Sequence, residues 1–287
     1  LGFLPPAFCK AADQLCFKIT LPVMLFLNMG SVDILHEFQP KFVLFCFAAT
    51  LIGILLVWAG AQRFLKDKTL VGEFVQAGYR SSAAVLGVAF IQNIYGSAGM
   101  APLMILGSVP LFNIFAVLIL MLESPEQRGT PNPKQLLRGV VTNPILLGIV
   151  FGTVYALLPF TLPQMVTKTM SNIASLTTPL SLLSIGASFE GTKAIKKLGP
   201  TVAAAFIKTI GLAAAFLPCA VALGFRNEEL VALLIMLGSP TTPSAYVMSK
   251  NMGHEGVLTS SCIALTTLLS ALTLTGWIFI LRSGGYL

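Results

Sequence analysis

The sequence predicts an all-α membrane protein made of two inverted five-helix repeats, in which two broken helices cross. Three observations support this fold class: a composition poor in charge, a weak internal repeat and a one-sided distribution of Lys and Arg. Of the 287 residues, 55% are hydrophobic and 10% are charged, whereas soluble domains carry roughly 25% charged residues. Uncharged runs of about 20 residues match the thickness of a bilayer core, so we expect the lipid bilayer to surround the protein.

The composition also argues against other functional classes. The net charge of +7 is compatible with nucleic-acid binding, but the basic residues lie in short loops between apolar segments, where the positive-inside rule places them. The five cysteines and two histidines are scattered and lack the spacing of a metal site. No nucleophile–base set is visible. We therefore expect no nucleic-acid partner, no metal, no cofactor and no enzymatic activity.

Apolar runs bounded by charged residues, Gly and Pro predict nine helical spans. They lie near residues 11–30, 41–61, 75–95, 99–122, 143–160, 163–188, 200–222, 230–249 and 257–281. The most polar connection is the stretch 123–142, which is predicted to be an exposed loop. It divides the chain into a first repeat, residues 1–122, and a second repeat, residues 143–287.

The repeat appears when the chain is shifted by about 157 residues, since four Pro and Gly residues then coincide with residues of the same type. The pairs are Pro6 with Pro163, Pro22 with Pro179, Gly96 with Gly253, and Gly99 with Gly256. In this register the span near residues 143–160 has no partner, because its equivalent would precede Leu1. We therefore expect a missing first helix, with ten spans in the full protein and nine in this chain. An odd number of spans per repeat orients the two halves oppositely.

Charge tests this arrangement independently. Loops 62–74, 123–142, 189–199 and 250–256 fall on one side of the membrane and carry most of the loop Lys and Arg residues, namely Arg63, Lys66, Lys68, Arg128, Lys134, Arg138, Lys193, Lys196, Lys197 and Lys250. The opposite loops hold Lys41 and Arg226 with the acids Asp33, Glu37, Glu228 and Glu229. The first set of loops is therefore predicted to be cytoplasmic, in a multi-pass protein of the cell membrane.

The segment "LGSPTTPSAY" interrupts one of the uncharged spans. It combines two prolines with four hydroxyl residues at the centre of the span: Ser239, Pro240, Thr241, Thr242, Pro243 and Ser244. One interpretation is a proline kink whose freed backbone groups are satisfied by the hydroxyls. The interpretation we favour is a broken helix that lines a substrate site, because non-helical backbone at membrane depth occurs only inside protein or along a water-filled cavity.

The equivalent segment of the first repeat runs from Gly78 to Gly99. Its candidate site residues are Arg80, Ser82, Gly87 and Asn93. Arg80 is expected either to snorkel to the interface or to bind a ligand. For Asn93 the alternatives are a hydrogen bond between helices and a site role, and Gly87 is a candidate point of breakage.

Two further polar residues lie in apolar spans. Lys208 is the most isolated charge and is a candidate for charge compensation or coupling, while Asn28 is a weaker candidate for substrate binding. No Asp or Glu lies clearly at the centre of a span. The predicted site is therefore neutral to positive and suits an anion better than a cation.

Several motifs resemble the auxin efflux carrier family of transporters, in its bacterial branch, and the resemblance spans the whole chain. They are "GYRSSAAVLG", "IYGSAG", "NPILLGIVFG", "TTPLSLLSIGASF" and above all "SPTTPSAYVMSKNMGHEG". The resemblance implies ten helices in two inverted repeats, crossing broken fourth and ninth helices, and a fold similar to that of the bile acid sodium symporters. It also implies transport of small organic anions, such as auxin or dicarboxylates, by an elevator-like motion.

When the family's motifs are matched to this chain residue by residue, the resemblance implies a first break at Gly87, a polar binding position at Ser82 and a second break at Pro240. It also matches Lys208 to a basic residue of the eighth helix. The chain departs from the family in having Ser82 where Asn is usual and Ala89 where Pro is frequent. Pro243 likewise stands where many members have an apolar residue. These departures leave substrate preference open.

The predicted function is secondary active transport of small carboxylates. Two alternatives remain: a sodium-coupled symporter of larger amphipathic anions, and a ligand sensor that does not transport. Coupling to protons and coupling to sodium are both open, and a homodimer is compatible with the sequence.

Overall fold

The computed structural model describes residues 4–31, 38–124, 133–158 and 160–287, and all regular elements in these ranges are helices. The acids Asp33 and Glu37 and the loop residues 125–132 lie outside the described residues, as do the side chains of Val85 and of residues 133–136. The part of the chain that the structure describes therefore agrees with the predicted all-α class.

The helices follow one another with short connections. They are α1 (Pro6–Leu15), α2 (Leu21–Gly30), α3 (Pro40–Phe64), α4 (Val71–Tyr79), α5 (Val88–Tyr95), α6 (Ala101–Leu122), α7 (Pro133–Val141), α8 (Pro144–Ala156), α9 (Gln164–Ser175), α10 (Thr177–Ala187), α11 (Gly191–Lys196), α12 (Leu198–Phe206), α13 (Leu212–Ala222), α14 (Asn227–Gly238), α15 (Pro243–Asn251) and α16 (Val257–Ser283). Three π-helical segments, Cys16–Thr20, Ala83–Gly87 and Ile207–Gly211, and one 3₁₀ turn, Lys68–Leu70, lie among them.

Within the described ranges, five helical stretches are long and apolar enough to cross a membrane: Pro40–Phe64, Ala101–Leu122, Leu198–Ala222, Asn227–Asn251 and Val257–Ser283. The other predicted spans coincide with shorter or interrupted helices. The predicted span near residues 163–188, for example, consists of α9 and α10, which meet at Leu176. The fold is thus that of an α-helical membrane protein, while the total of ten spans and the inverted repeat remain predictions.

The helices form two groups. The small bundle contains α1, α2, α8, α9 and α10, and the large bundle contains α3 to α6 and α12 to α16. In the small bundle α8 packs directly on the backbone of α2: a Cβ atom added at Gly148 would lie 2.5 Å from the carbonyl oxygen of Pro22. Glycine is therefore required at this helix–helix contact.

The interrupted helices occupy the centre of the molecule. All nine residues of α4 are buried. In the apolar 18-residue stretch of Asn227–Asn251, 89% of the residues are buried, compared with 17% in the corresponding stretch of α16. The small bundle meets this centre through α1 and α10, which contact α15, and through α2 and α8, which contact α6. The helices that lead into the two breaks, α4 and α14, are therefore shielded from lipid, as irregular backbone in a membrane must be, whereas Ile91 is the only buried residue among those that the structure describes in α5.

Candidate functional site: the crossing of two broken helices

Both helices that the sequence identifies as site candidates are interrupted. Helix α4 ends at Tyr79, Arg80 is extended (φ −71°, ψ 122°), and helical structure resumes at Ala83. Helix α14 ends at Gly238, Ser239 is extended (φ −71°, ψ 159°), and α15 begins at Pro243. The second interruption is thus a full break and not a proline kink.

The two breaks are bonded to each other. The backbone amide of Ser82 donates to the carbonyl oxygen of Pro240 over 3.0 Å. The hydroxyl of Thr241 donates to the carbonyl of Ala77 over 2.8 Å, and the Ser81 hydroxyl bonds the carbonyl of Ile235 and the hydroxyl of Ser239. We call residues 80–82 and 239–242 the crossing. Each break supplies hydrogen-bond partners for backbone that the other leaves unpaired.

The carbonyl ends of the broken helices are satisfied by side chains of the protein itself. The Lys208 ammonium donates to the carbonyl oxygen of Leu237, in the last turn of α14, over 2.6 Å. Its side chain is fully buried and lies on the π-helical segment Ile207–Gly211. A cation is stabilised at a helix C-terminus, where unpaired carbonyls concentrate negative charge. This contact gives Lys208 a structural role, and its predicted role in charge compensation remains to be tested.

The amino ends of the continuing helices face a small cavity instead. Helical structure restarts at Ala83 in one chain segment and at Pro243 in the other. The cavity has a volume of about 30 Å³ and is lined by Leu21, Met24, Leu25, Arg80, Ser81, Ser82, Ala84, Val109, Phe112, Asn113, Thr242 and Ser244. A helix N-terminus attracts anions through its free N–H groups and its dipole. Two such ends start beside one cavity.

Arg80 adds a full positive charge to this cavity. Its side chain is 3% exposed, so it does not snorkel to the interface. Its guanidinium donates to the Asn113 side-chain oxygen over 2.7 Å and contacts the Met248 sulfur at 2.7 Å. Among the described residues no carboxylate forms an ion pair with Arg80. A buried cation with neutral partners is costly, and this cost favours an anion in the cavity.

Other predicted site residues take different positions. The predicted break at Gly87 is wrong, because Gly87 has helical torsions (φ −60°, ψ −53°) and the break lies at Arg80–Ser82. A Cβ atom at Gly87 would lie 2.8 Å from the methyl carbon of Met104, so this glycine serves the packing of α6. Asn93 is exposed and donates to the carbonyl of Ala89 within its own helix.

Of the remaining predicted site residues, some lie at the crossing cavity and others do not. Asn28 is half-buried on α2 and is not among the residues lining the cavity. Pro243 does not itself break the helix, since it occupies the first position of α15, where proline is favoured. Pro240 lies in the extended connection and offers its carbonyl to Ser82. Thr242 and Ser244 line the cavity and their hydroxyls lie 3.2 Å apart.

The sequence interpretation missed two buried acids. The Glu73 carboxylate is 1% exposed and accepts the backbone amides of Gly256 over 2.9 Å and Thr259 over 3.1 Å, which caps α16. Asp13 on α1 is also buried, at 5% exposure. Glu73 and Gln76 on α4 and Arg80 directly after it recur at helical spacing in the sequence, and this polar line was the signal that could have revealed Glu73.

Comparison with known proteins gives a consistent result. The family model described as "Membrane transport protein" matches residues 1–278. The chain is 24% identical over 290 residues to an "Uncharacterized transporter" of Methanocaldococcus jannaschii, covering 98% of this chain and 92% of that protein. It is 20% identical over 273 residues to a Rhizobium meliloti protein named "Putative malonate transporter", covering 93% of this chain and 85% of that protein.

Proposed function

The chain belongs to the membrane transport protein family, the auxin efflux carrier family, and on this premise we propose that it is a secondary active transporter of small organic anions. The observation that carries the proposal is Arg80, a buried cation without a carboxylate partner in the described structure, beside the crossing cavity. Two helix N-termini and the hydroxyls of Ser82, Thr242 and Ser244 supply further donors. The membrane-transport activity and the absence of an enzymatic role rest on the family.

The proposed substrate class is small carboxylates. A carboxylate accepts bidentate hydrogen bonds from a guanidinium, and it complements the planar fork of Arg80. The name of the Rhizobium meliloti relative makes malonate the first dicarboxylate to test. Larger amphipathic anions remain the alternative, because the cavity also has apolar lining from Leu21, Met24, Leu25, Ala84, Val109 and Phe112.

The proposed mechanism follows from the size and position of the cavity. A volume of about 30 Å³ holds a water molecule or two, since one water occupies roughly 10–15 Å³ by this measure. A dicarboxylate does not fit, so the described conformation is closed around the crossing. The cavity lies between the small bundle, through Leu21 and Leu25, and the crossing of the large bundle. Sliding of one bundle against the other would therefore open it, as an elevator mechanism requires.

Counterflow in proteoliposomes tests the proposal. Purified protein is reconstituted with unlabelled malonate inside, and uptake of labelled malonate is followed. We expect saturable exchange for the wild type and its loss in the double variant Pro240→Ala, Thr241→Val, because the hydroxyl that bonds Ala77 is removed from the crossing. The matched control is Thr275→Val, an exposed threonine on α16, which should exchange normally.

The outcomes are distinct. Normal exchange by the double variant would contradict the role of the crossing. Binding of carboxylates by the wild type without any exchange would identify a sensor on the same fold. Exchange that requires sodium and prefers large amphipathic anions would favour the symporter alternative.

A further inference from the structure

A second and larger cavity lies at the contact between the bundles. It has a volume of about 660 Å³ and is bounded by α1, α10, α15 and the start of α16. Its polar lining includes Lys10, Asp13, Tyr246, Lys250 and Asn251. None of these residues lines the crossing cavity. The loop residues Glu190 and Glu255, which belong to predicted cytoplasmic loops, lie at its rim.

Two residues that line this cavity, Asp13 and Tyr246, and the neighbouring Ser184 have buried polar atoms that form no hydrogen bond of standard geometry. They are the Asp13 carboxylate oxygen Oδ1, the Ser184 hydroxyl and the Tyr246 hydroxyl. The Ser184 hydroxyl is near enough to interact with both the Asp13 carboxylate and the Tyr246 hydroxyl, although the contacts lack standard hydrogen-bond geometry. Buried polar groups in folded proteins are nearly always bonded, and an ionised carboxylate without a partner is especially unfavourable away from water. The cluster is therefore loosely bonded, and a proton on Asp13 changes which of its members donate and which accept.

We propose that Asp13 is the protonation site through which anion transport is coupled to protons, an inference that rests on the proposed transport function. Asp13 takes one proton from water in the large cavity, which forms an O–H bond at a carboxylate oxygen and removes one negative charge. The neutral carboxyl group can then donate a hydrogen bond to the hydroxyl oxygen of Ser184 or Tyr246. The ionised group, in contrast, can only accept hydrogen bonds. The same proton returns to water when this bond breaks.

The location of the cluster links protonation to movement. Asp13 and Ser184 belong to the small bundle, on α1 and α10, whereas Tyr246 belongs to α15 of the large bundle. The amide of Asn251, also on α15, donates to the backbone carbonyl of Asp13 over 3.2 Å. Any sliding between the bundles changes this contact. When the contact between the bundles closes, Asp13 loses water, and the neutral acid is favoured. When the contact opens, the ionised carboxylate is favoured.

A polar line extends from Asp13 toward the crossing cavity. On α1 and its π-helical extension it contains Cys16 and Thr20, and on α10 it contains Thr177 and Ser181. The Cys16 thiol contacts the Thr177 carbonyl at 3.9 Å and the Ser181 hydroxyl at 3.8 Å, while the hydroxyls of Thr20 and Thr177 have no protein partner. Such groups are commonly bridged by buried water. Thr20 directly precedes Leu21, which lines the crossing cavity.

Other titratable groups face Asp13 and must be separated from it in any test. From α15 these are Tyr246 and Lys250; from its own helical stretch they are Cys9, Lys10 and Cys16; at the cavity rim they are Glu190 and Glu255. Helix α10 contributes only hydroxyl groups. Because Glu255 is another carboxylate that lines this cavity, Glu255→Gln is the matched control for Asp13→Asn.

Infrared difference spectroscopy of the purified protein tests the site without requiring transport. In a pH titration of the wild type, the carboxylic acid absorption of the eleven Asp and Glu residues should contain one component that is missing from Asp13→Asn and present in Glu255→Gln. Ser184→Ala, which keeps the carboxylate, should shift the midpoint of that component, and it provides an answer if Asp13→Asn fails to fold. An unchanged absorption in Asp13→Asn, or an unchanged midpoint in Ser184→Ala, would overturn the assignment.

Reconstituted transport then tests the coupling. An inward proton gradient should increase net malonate uptake by the wild type, while Asp13→Asn should keep counterflow and lose the response to the gradient. If Asp13→Asn keeps the response to the proton gradient, the proposal is overturned. It is also overturned if sodium stabilises the wild type against heat more than potassium does and this effect disappears in Asp13→Asn, because the coupling ion would then be sodium. Absence of exchange in every variant, with the infrared result intact, would count against the transport function and not against protonation of Asp13.

Discussion

The backbone amide of Ser82 donates a hydrogen bond to the carbonyl oxygen of Pro240 over 3.0 Å. Each residue lies where a helix of the protein interior is interrupted, so the two interruptions satisfy each other. In a membrane an unsatisfied backbone group costs several kcal/mol, and water is not present in the hydrocarbon region to replace the partner. Neither break is therefore stable alone, and the crossing forms as one unit.

Lys208 is expected to stabilise the protein more than it assists anion binding. Lys208→Met removes the donor to the Leu237 carbonyl, and a buried acceptor left without a partner costs about 1–3 kcal/mol. Thermal unfolding in detergent should show a clear loss of stability, with malonate affinity of the folded protein close to that of the wild type. Lys168→Met, at an exposed position of α9, is the control. Weakened affinity at unchanged stability would restore the charge-compensation hypothesis.

Glu73 is expected to hold the start of α16 against α4. Glu73→Gln removes the charge that receives the amides of Gly256 and Thr259, and capping interactions of this kind contribute about 0.5–2 kcal/mol. The melting temperature should fall measurably. Glu190→Gln, whose carboxylate pairs with Lys193 at the surface, should change stability by less than about 1 kcal/mol. Equal effects of the two substitutions would argue against a cap at Glu73.

A pH-dependent contribution is expected from Glu255 at the predicted cytoplasmic face. The hydrogen bond from Lys197 holds the pKa of the Glu255 carboxyl below its usual value of 4.5, assisted by Lys193. A lowered folded-state pKa gives stability that is present above the ordinary pKa and is lost as the pH falls through the lowered one. Because Glu255 is 44% exposed, the contribution is at most about 1 kcal/mol.

The measurement is the difference in unfolding free energy between the wild type and Glu255→Gln as a function of pH. The wild type should be the more stable at neutral pH, and the difference should disappear in the acid range below pH 4.5. Added salt should reduce it at neutral pH, since exposed charges are screened. A difference that grows on acidification would contradict the ion pair.

Much of the fold and part of the site were predictable from local sequence. Charge depletion indicates the membrane, and the prolines with hydroxyl residues between Ser239 and Ser244 indicate the second break. The position of the first break was not predictable in this way, because the partner of Ser82 is Pro240, more than 150 residues away in the chain. Gly87 offered a local reason for a break, but it has helical torsions and packs beside Met104.

The buried acids escaped notice for a related reason. Glu73 lies in the first turn of α4 and Asp13 near the end of α1, and neither position indicates a buried carboxylate from local sequence. Only the packing of α16 on α4 buries Glu73, and only the contact of α1 with α10 and α15 buries Asp13. For Lys208 the residue was noticed but its partner was not. Its isolation in the sequence indicates a special role, but the Leu237 carbonyl is free to accept its hydrogen bond only because α14 ends there.

Binding of labelled malonate to purified Arg80→Gln tests the central claim most directly. Arg63→Gln, an exposed arginine near the end of α3, is the control, and thermal unfolding verifies that both variants are folded. We predict that Arg80→Gln weakens binding by at least about tenfold, roughly 1.4 kcal/mol, while Arg63→Gln binds like the wild type. Wild-type affinity in a folded Arg80→Gln variant would contradict an anion site at the crossing.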